Sequence, residues 1–314
     1  MSSLPGWLAS DMARIEELLF ASAGASKLPL VAEASTHLMK AGGKRLRPAL
    51  VLISSHAGEP GRRSTDLAAT AIELVHLATL YHDDVIDETE TRRGVPTAHS
   101  KWGADVAVLA GDYLFASGSA LGADAGGEVP GILARAIAEV CEGQIAETEA
   151  SGDPARSVED FLDTIGKKTG ALFRASCDLG AATSGASELD RAALASFGLH
   201  LGLAFQMVDD LLDLVGDPRV TGKVPGTDLR EGVYTLPVLL ACRRDDSLAG
   251  RLRAGERALD GVLPVLESTG ALSEAFTRAR GEAEKARGSL AALPDEPWRA
   301  GLELLLDGVL DQVA

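Results

Sequence analysis

Two aspartate clusters of one form, Asp83-Asp84-Val85-Ile86-Asp87 and Asp209-Asp210-Leu211-Leu212-Asp213, carry the first chemistry in this chain. Each lies in a stretch whose apolar residues recur three and four apart, so each reads as part of a helix. At 3.6 residues per turn, the first and last Asp of a cluster stack one turn apart on one face. Facing each other across a helical bundle, the clusters form a chamber lined with carboxylates. Unpaired buried charge is costly, so such a chamber calls for hard divalent cations. Mg²⁺ held by few carboxylates completes its octahedron with substrate phosphates. One Asp pair on a helix reads equally well as a solvated face. Two of identical spacing, both flanked by Leu, Ile and Val, do not.

The basic residues complement them. Gly42-Gly43-Lys44-Arg45-Leu46-Arg47-Pro48 places three cations in a glycine-loosened turn that runs into a helix N-terminus. Free N–H groups and the helix dipole favour phosphate there, and Arg adds bidentate donors. Arg92-Arg93 follows the first cluster by a turn and a half, and Lys167-Lys168-Thr169 and Gly222-Lys223 flank expected helix ends. Together these match a ligand set of two diphosphates and several Mg²⁺ ions. No Ser/His/Asp, HExxH or Walker pattern appears, and His82 reads as a packing or supporting residue rather than a metal ligand.

The elements that must position these groups are helices. Hydrophobic residues make up 46% of the 314, aromatics only 4%, and β-branched strand formers are scarce. Apolar periodicity predicts helices over 11–23, 28–40, 64–87, 103–123, 130–150, 157–167, 170–183, 188–215, 234–243, 272–290 and 296–312. Pro48 fits the first turn of another. Gly216 to Gly232 reads as an irregular stretch of the kind that forms lids, and Arg244 to Leu263 as soft and linker-like. Residues 1–314 read as a single domain. Thirty basic against 46 acidic residues give a net charge of −16, which argues against nucleic acid. Cys141, Cys177 and Cys242 form no ligand spacing and fit a reducing cytosol. With no secretion signal and no uncharged apolar run of spanning length, a cytoplasmic protein is expected.

The order of these motifs resembles the trans-polyprenyl diphosphate synthases, the head-to-tail isoprenyl diphosphate synthase family. The likeness runs through Gly42 to Pro48, Glu73-Leu74-Val75-His76, His82 to Asp87, Arg92 to Thr97 and Leu109 to Leu114. It continues through Cys141-Glu142-Gly143-Gln144, Lys168-Thr169, Phe205 to Asp213, Gly222-Lys223, Gly226 to Leu229, Glu231-Gly232 and Thr235-Leu236-Pro237. The resemblance implies an all-α isoprenoid synthase fold, helices around a deep central cavity, as a homodimer. It implies that Lys44, Arg47, His76 and Arg93 hold isopentenyl diphosphate. Arg92, Lys168 and Lys223 would hold an allylic diphosphate, with about three Mg²⁺ ions on Asp83, Asp84, Asp87, Asp209, Asp210 and Asp213. Thr169 and Gln206 read as oxygen dipoles offered to an allylic cation. The expected product is a trans-polyprenyl diphosphate, whose tail touches membrane only transiently.

Two features depart from the family pattern. Val233 stands where many members carry a Lys, and the chain ends Leu310-Asp311-Gln312-Val313-Ala314 without basic residues. A terpene cyclase is disfavoured by the second aspartate cluster, and a non-catalytic subunit by the retention of every Asp. Product length reads from the helix that bears Asp83. Short-chain members carry an aromatic four or five residues before the first Asp; here stand Thr79 and Ala78, with Val75 and Ala71 one turn deeper. A long-chain product is expected, with geranylgeranyl or farnesyl diphosphate as the alternative.

Overall fold

A computed structural model describes residues 6–216 and 225–312. Lys223 and the terminal Val313-Ala314 lie outside the described residues. Helix α1 spans Ala9–Ala23, α2 Pro29–Lys40, α3 Leu46–Ser54 and α4 Arg63–Ile86. After α5 (Ala98–Trp102) come α6 (Ala104–Ala125), α7 (Val129–Glu149), α8 (Val158–Ile165), α9 (Ala171–Ser184) and α10 (Glu188–Val215). Further helices cover Thr227–Glu231, Leu236–Cys242, Asp246–Arg253, Leu259–Ser268, Ala271–Leu290 and Pro297–Leu310. The expected all-α architecture holds. Among the described residues the only strands are Thr91–Arg92 and Val95–Pro96, a short antiparallel pair that aligns Thr91 with Pro96.

Local signals fix several starts. Ser187 accepts a hydrogen bond from Asp190 N at 3.1 Å and Ser157 one from Asp160 N at 2.9 Å, so each caps its helix, α10 and α8. Each such cap contributes about 1 kcal/mol. Pro48 occupies the third position of α3, where no intrahelical N–H is needed. At 1.5 Å per residue, α4 and α10 run about 36 and 42 Å, long enough to hold aspartates at one end and core side chains at the other.

The apolar side chains divide into two bodies. The larger gathers α3, the first half of α4, α7 to α10 and the C-terminal helices. The smaller lies between α1, α2, the second half of α4 and α6, and includes Leu38, Leu77, Ala78, Tyr81 and Leu114. The soft region expected at Arg244 to Leu263 is instead the Asp246–Arg253 helix and the start of Leu259–Ser268. Asp245 caps the first of these through Ser247 N at 2.8 Å, and Leu248, Leu252 and Val262 are buried. The polar composition there reflects an outward face, not a linker. The irregular stretch after Gly216 likewise contains the short Thr227–Glu231 helix.

Residues 166–170 depart from regular helix in a way that serves the site. Gly166–Gly170 forms a single π-helical turn that continues α8 into α9 without a break. Such bulges re-aim side chains. The turn is gripped from both sides: a Cβ on Gly143 of α7 would lie 2.5 Å from Lys168 N, and one on Gly202 of α10 would lie 2.8 Å from Gly170 Cα. Only glycine at those two positions lets the backbones approach so closely.

By length and composition α6 and α10 could each cross a membrane. Helix α10 sits between α9 and the Ala271–Leu290 helix, which accounts for its apolar face. In α6 only 33% of the most apolar window is buried.

Candidate active site

Helices α4 and α10 deliver the two aspartate clusters to one place. Asp87, at the C-cap of α4, and Asp210, within α10, line the same cavity of about 130 Å³. Lys168 from the π-turn and Gln206 from α10 line it too. The remaining acidic wall is Glu147 of α7 with Asp228 and Glu231, and Arg156, Val233 and Thr235 add to the lining. The carboxylate chamber expected from the two spacings is therefore present, and it is more acidic than the clusters alone imply.

Within the first cluster Asp83 is half-buried, Asp84 is fully buried and Asp87 is exposed. Asp84 Oδ1 accepts from Arg92 Nε at 2.6 Å, while its Oδ2 is buried without a partner. Arg92, expected on an allylic diphosphate, is thus engaged with Asp84. In the second cluster Asp210 Oδ1 accepts from Gln206 Nε2 at 2.8 Å, and Asp210 Oδ2 is buried without a partner. Gln206 Oε1 in turn accepts from Thr169 Oγ1 at 2.8 Å. Thr169 and Gln206 form one relay onto Asp210, so here they orient a carboxylate. Asp209 is half-buried beside them. The Asp213 carboxylate accepts Thr227 N at 3.1 Å and Asp228 N at 3.2 Å. Asp213 thereby caps the short helix that carries Asp228 and Glu231 to the cavity.

Electrostatics show the crowding. Burial pushes Asp83 up to about 6, with Lys168 opposing and Asp87 adding to the rise. Burial also raises Asp84 and Asp87. It raises Asp210 well above the carboxylate range, with Asp228 and Asp209 adding repulsion. Glu231 is raised by burial and then by Asp87 and Asp213. Burial works against the charge on Lys168, but Glu147, Asp83 and Asp87 outweigh it and hold the ammonium charged. Lys168 Nζ donates to Glu147.

Among the described residues no three carboxylates already converge as a closed metal cage. The donors nevertheless fit Mg²⁺. They are all oxygens, two of them are buried acceptors without a partner, and the surrounding acids repel one another until a cation arrives.

The basic turn gathers a second cluster of charged groups. Arg45 sits in the left-handed region (φ 49°) ahead of α3. Its guanidinium is spent on Glu16 at 2.8 Å and Glu73 at 3.3 Å, so it anchors the turn. Arg47 stacks over Phe173 at 4.9 Å with its Nε buried and unpartnered. Burial lowers it to about 10, helped by Arg93 and opposed by Glu73. Arg93, also left-handed (φ 54°), donates to Leu38 O at 3.2 Å and to Gly42 O. His76 is held well below its usual range, by burial first and then by Arg47 and Arg93. Lys44 Nζ donates to Gln312 Oε1 at 3.0 Å and lies 5.6 Å from the Phe205 ring centre. Arg47, His76 and Arg93 thus gather near the start of α3, with Lys44 in the turn before it. Gln312, just past the end of the Pro297–Leu310 helix, is the residue that reaches Lys44.

The expected length-determining residues occupy different surroundings. Ala78 is fully buried among Leu74, Leu77, Tyr81 and Leu114, next to α6. Val75 is buried in the larger core, and Thr79 is half-buried with its hydroxyl donating to His76 O at 2.7 Å. His82 takes the supporting place expected of it, 3.2 Å from Val108 O and 5.4 Å from the Phe115 ring.

Sequence reasoning missed Glu147, Arg156, Asp228 and Glu231 as cavity residues. Glu147 was within reach: it lies one turn beyond Gly143 on α7 and faces Lys168. Arg156 sits in a loop with no periodic signal.

Comparison with known proteins agrees with this geometry. The polyprenyl synthetase family matches residues 28–256. A nonaprenyl diphosphate synthase from Mycobacterium tuberculosis is 38% identical over 306 residues, 95% of this chain and 91% of that one. A decaprenyl diphosphate synthase structure from Rhodobacter capsulatus superposes with a TM-score of 0.93 at 38% identity, covering 98% and 97% of the two chains. A Caulobacter crescentus polyprenyl synthase, solved with calcium and isoprenyl diphosphate, gives 0.91 at 35% identity over 98% and 96%. With the motifs, the fold and the paired acidic and basic sites all in agreement, the chain belongs to the polyprenyl synthetase family of prenyltransferases.

Proposed function

We propose that this chain is a Mg²⁺-dependent, long-chain trans-polyprenyl diphosphate synthase that adds isopentenyl diphosphate to an allylic diphosphate. The observation that supports this most is the shared cavity: Asp87 of one cluster and Asp210 of the other face it together with Lys168. The cluster of basic groups near the start of α3 accounts for a second diphosphate.

In this reading Asp83, Asp84, Asp87, Asp209 and Asp210 hold about three Mg²⁺ ions, with Asp213 shaping the wall. When bound, the ions neutralise the charge that develops on the leaving diphosphate. Lys168 leaves Glu147 for a phosphate oxygen, and Lys44, Arg47, His76 and Arg93 fix isopentenyl diphosphate with its double bond toward the allylic C1. The C1–O bond breaks, its electron pair leaves with pyrophosphate, and the π electrons of isopentenyl diphosphate bond to C1. A proton from the new chain passes to the released pyrophosphate. No poised side-chain base is needed. Burial by the Phe173, Phe205 and Leu203 neighbourhood keeps water from the cation.

Length rests on Ala78, Thr79 and Val75, none of which is large enough to floor the tail path along α4. The exposed apolar residues Val108 and Leu109 of α6 and Ile145 of α7 suit a second copy of the chain, giving a homodimer. We place the enzyme in the cytoplasm, its product meeting the membrane on release.

The deciding experiment mixes the purified chain with Mg²⁺, farnesyl diphosphate and labelled isopentenyl diphosphate. A ladder ending beyond geranylgeranyl diphosphate is expected, abolished by EDTA, restored by Mg²⁺, and reduced by orders of magnitude in Asp83→Ala and Asp209→Ala. A hydrocarbon product would mean a cyclase, and no product would mean an obligate partner subunit.

A further inference from the structure

The chamber between the aspartate clusters has a second cation on its wall besides Lys168. Arg156 precedes α8 in a turn closed by Arg156 N on Asp153 O at 3.4 Å. Its guanidinium Nη2 donates to Asp160 O at 3.2 Å and to the Thr164 hydroxyl, and it lies 5.7 Å from the Phe161 ring centre. Those partners are neutral. Its Nε is buried and has no partner. Other arginines of this chain are differently placed: Arg45, Arg174, Arg191 and Arg251 each hold a carboxylate within 2.8 Å or less. Among the described residues Arg156 forms no such ion pair. Burial acts to weaken its charge, against the more distant Glu147, Asp160 and Asp153.

Its location gives that unspent capacity a use. Thr164, which holds the guanidinium, lies four residues before Lys168 along the same helical run, about one turn or 5–6 Å away. Both cations line the cavity that Asp87 and Asp210 line. Val233 also lines it and brings no charge. Lys168 alone is a point charge and is already shared with Glu147. A diphosphate presents several anionic oxygens in a spacing that suits a guanidinium fork.

We propose that Arg156 is a binding residue for the diphosphate of the allylic substrate, acting beside Lys168 as a further protein cation of that subsite. The assignment rests on the synthase reading above. It also explains how the site tolerates Val233: the cation comes from the α8 side of the chamber.

Binding of inorganic pyrophosphate in the presence of Mg²⁺, measured by calorimetry on the full chain, tests it together with steady-state kinetics. Arg156→Gln should weaken pyrophosphate binding and raise KM for farnesyl diphosphate roughly ten- to hundredfold, the usual worth of a hydrogen bond to a charged group. KM for isopentenyl diphosphate should stay put. Arg156→Lys keeps the charge but loses the fork, so it should fall between wild type and Arg156→Gln; it serves also if the Gln variant does not fold. Pyrophosphate affinity equal to wild type in a folded variant of either kind would overturn the proposal, as would an equal rise in both KM values. A wild-type chain that forms no prenyl product defeats the synthase reading instead, and the pyrophosphate titration then still decides Arg156.

Discussion

Substituting Gly143 by Ala tests whether the π-turn positions the chemistry. The added Cβ would stand 2.5 Å from Lys168 N, 2.9 Å from its Cα and 3.0 Å from its Cβ. Ordinary contact begins at 3.4 Å, so backbone must move by 3.4 − 2.5 = 0.9 Å. Those atoms cannot swing aside as a side chain end would. Retreat of the turn is also limited on its far side, where even a Cβ on Gly170 would stand 2.9 Å from Leu199 Cδ1 and one on Gly202 would stand 2.8 Å from Gly170 Cα. Overpacking of this kind costs about 1–3 kcal/mol. A misplacement of about 1 Å at a catalytic group costs on the order of a hundredfold in rate. Gly143→Ala should therefore lose about two decades of kcat/KM for the allylic substrate while Tm falls by only a few degrees. The control is Gly281→Ala. It sits mid-helix with nothing within 4 Å of its would-be Cβ. Ala there should leave activity intact and raise stability by roughly 0.5–1 kcal/mol. Wild-type turnover in Gly143→Ala, with Tm unchanged, would refute the idea that this contact places Lys168.

Three further outcomes follow from the site. Because His76 is held well below its usual range by burial and by Arg47 and Arg93, the native state binds fewer protons than the unfolded chain below about pH 6.5. Its contribution to stability is thus complete above that pH and declines as pH falls, by up to about 1.4 kcal/mol per unit; urea denaturation of His76→Gln at pH 7.5 and 5.5 should show a shallower loss than wild type. Lys44→Ala should raise KM mainly for isopentenyl diphosphate and Lys168→Ala mainly for the allylic substrate, and equal shifts in both constants would dissolve the two-site assignment. Ala78→Phe must displace Leu114 or its neighbours and crowd the tail path, so chromatography of its product should show farnesyl or geranylgeranyl lengths in place of a long chain.

What could be read from the sequence was whatever repeats with a period. Asp83 and Asp87, or Asp209 and Asp213, announce a helical face because their spacing matches the turn. What could not be read was set by tertiary approach. Gly202 is an unremarked residue in sequence, and Gly143 only part of a family motif, until the turn they admit is known. The hydrogen bonds that Asp213 accepts from Thr227 N and Asp228 N depend on where a later helix starts, which its own spacing does not announce. Arg156 emerges from a non-periodic loop, so only its position beside Thr164 reveals it. The soft appearance of Arg244 to Leu263 misled because short helices with a single buried stripe carry too few apolar residues to register.

The contact between Lys168 and Glu147 has a consequence for turnover. Both groups are fixed to the scaffold, so Glu147 competes for the ammonium at an effective concentration that no dissolved anion matches. In the proposed reaction every pyrophosphate that departs leaves behind a vacancy which Glu147 fills at once. The site resets itself, and any incoming diphosphate, substrate or product, must displace the same carboxylate from Lys168.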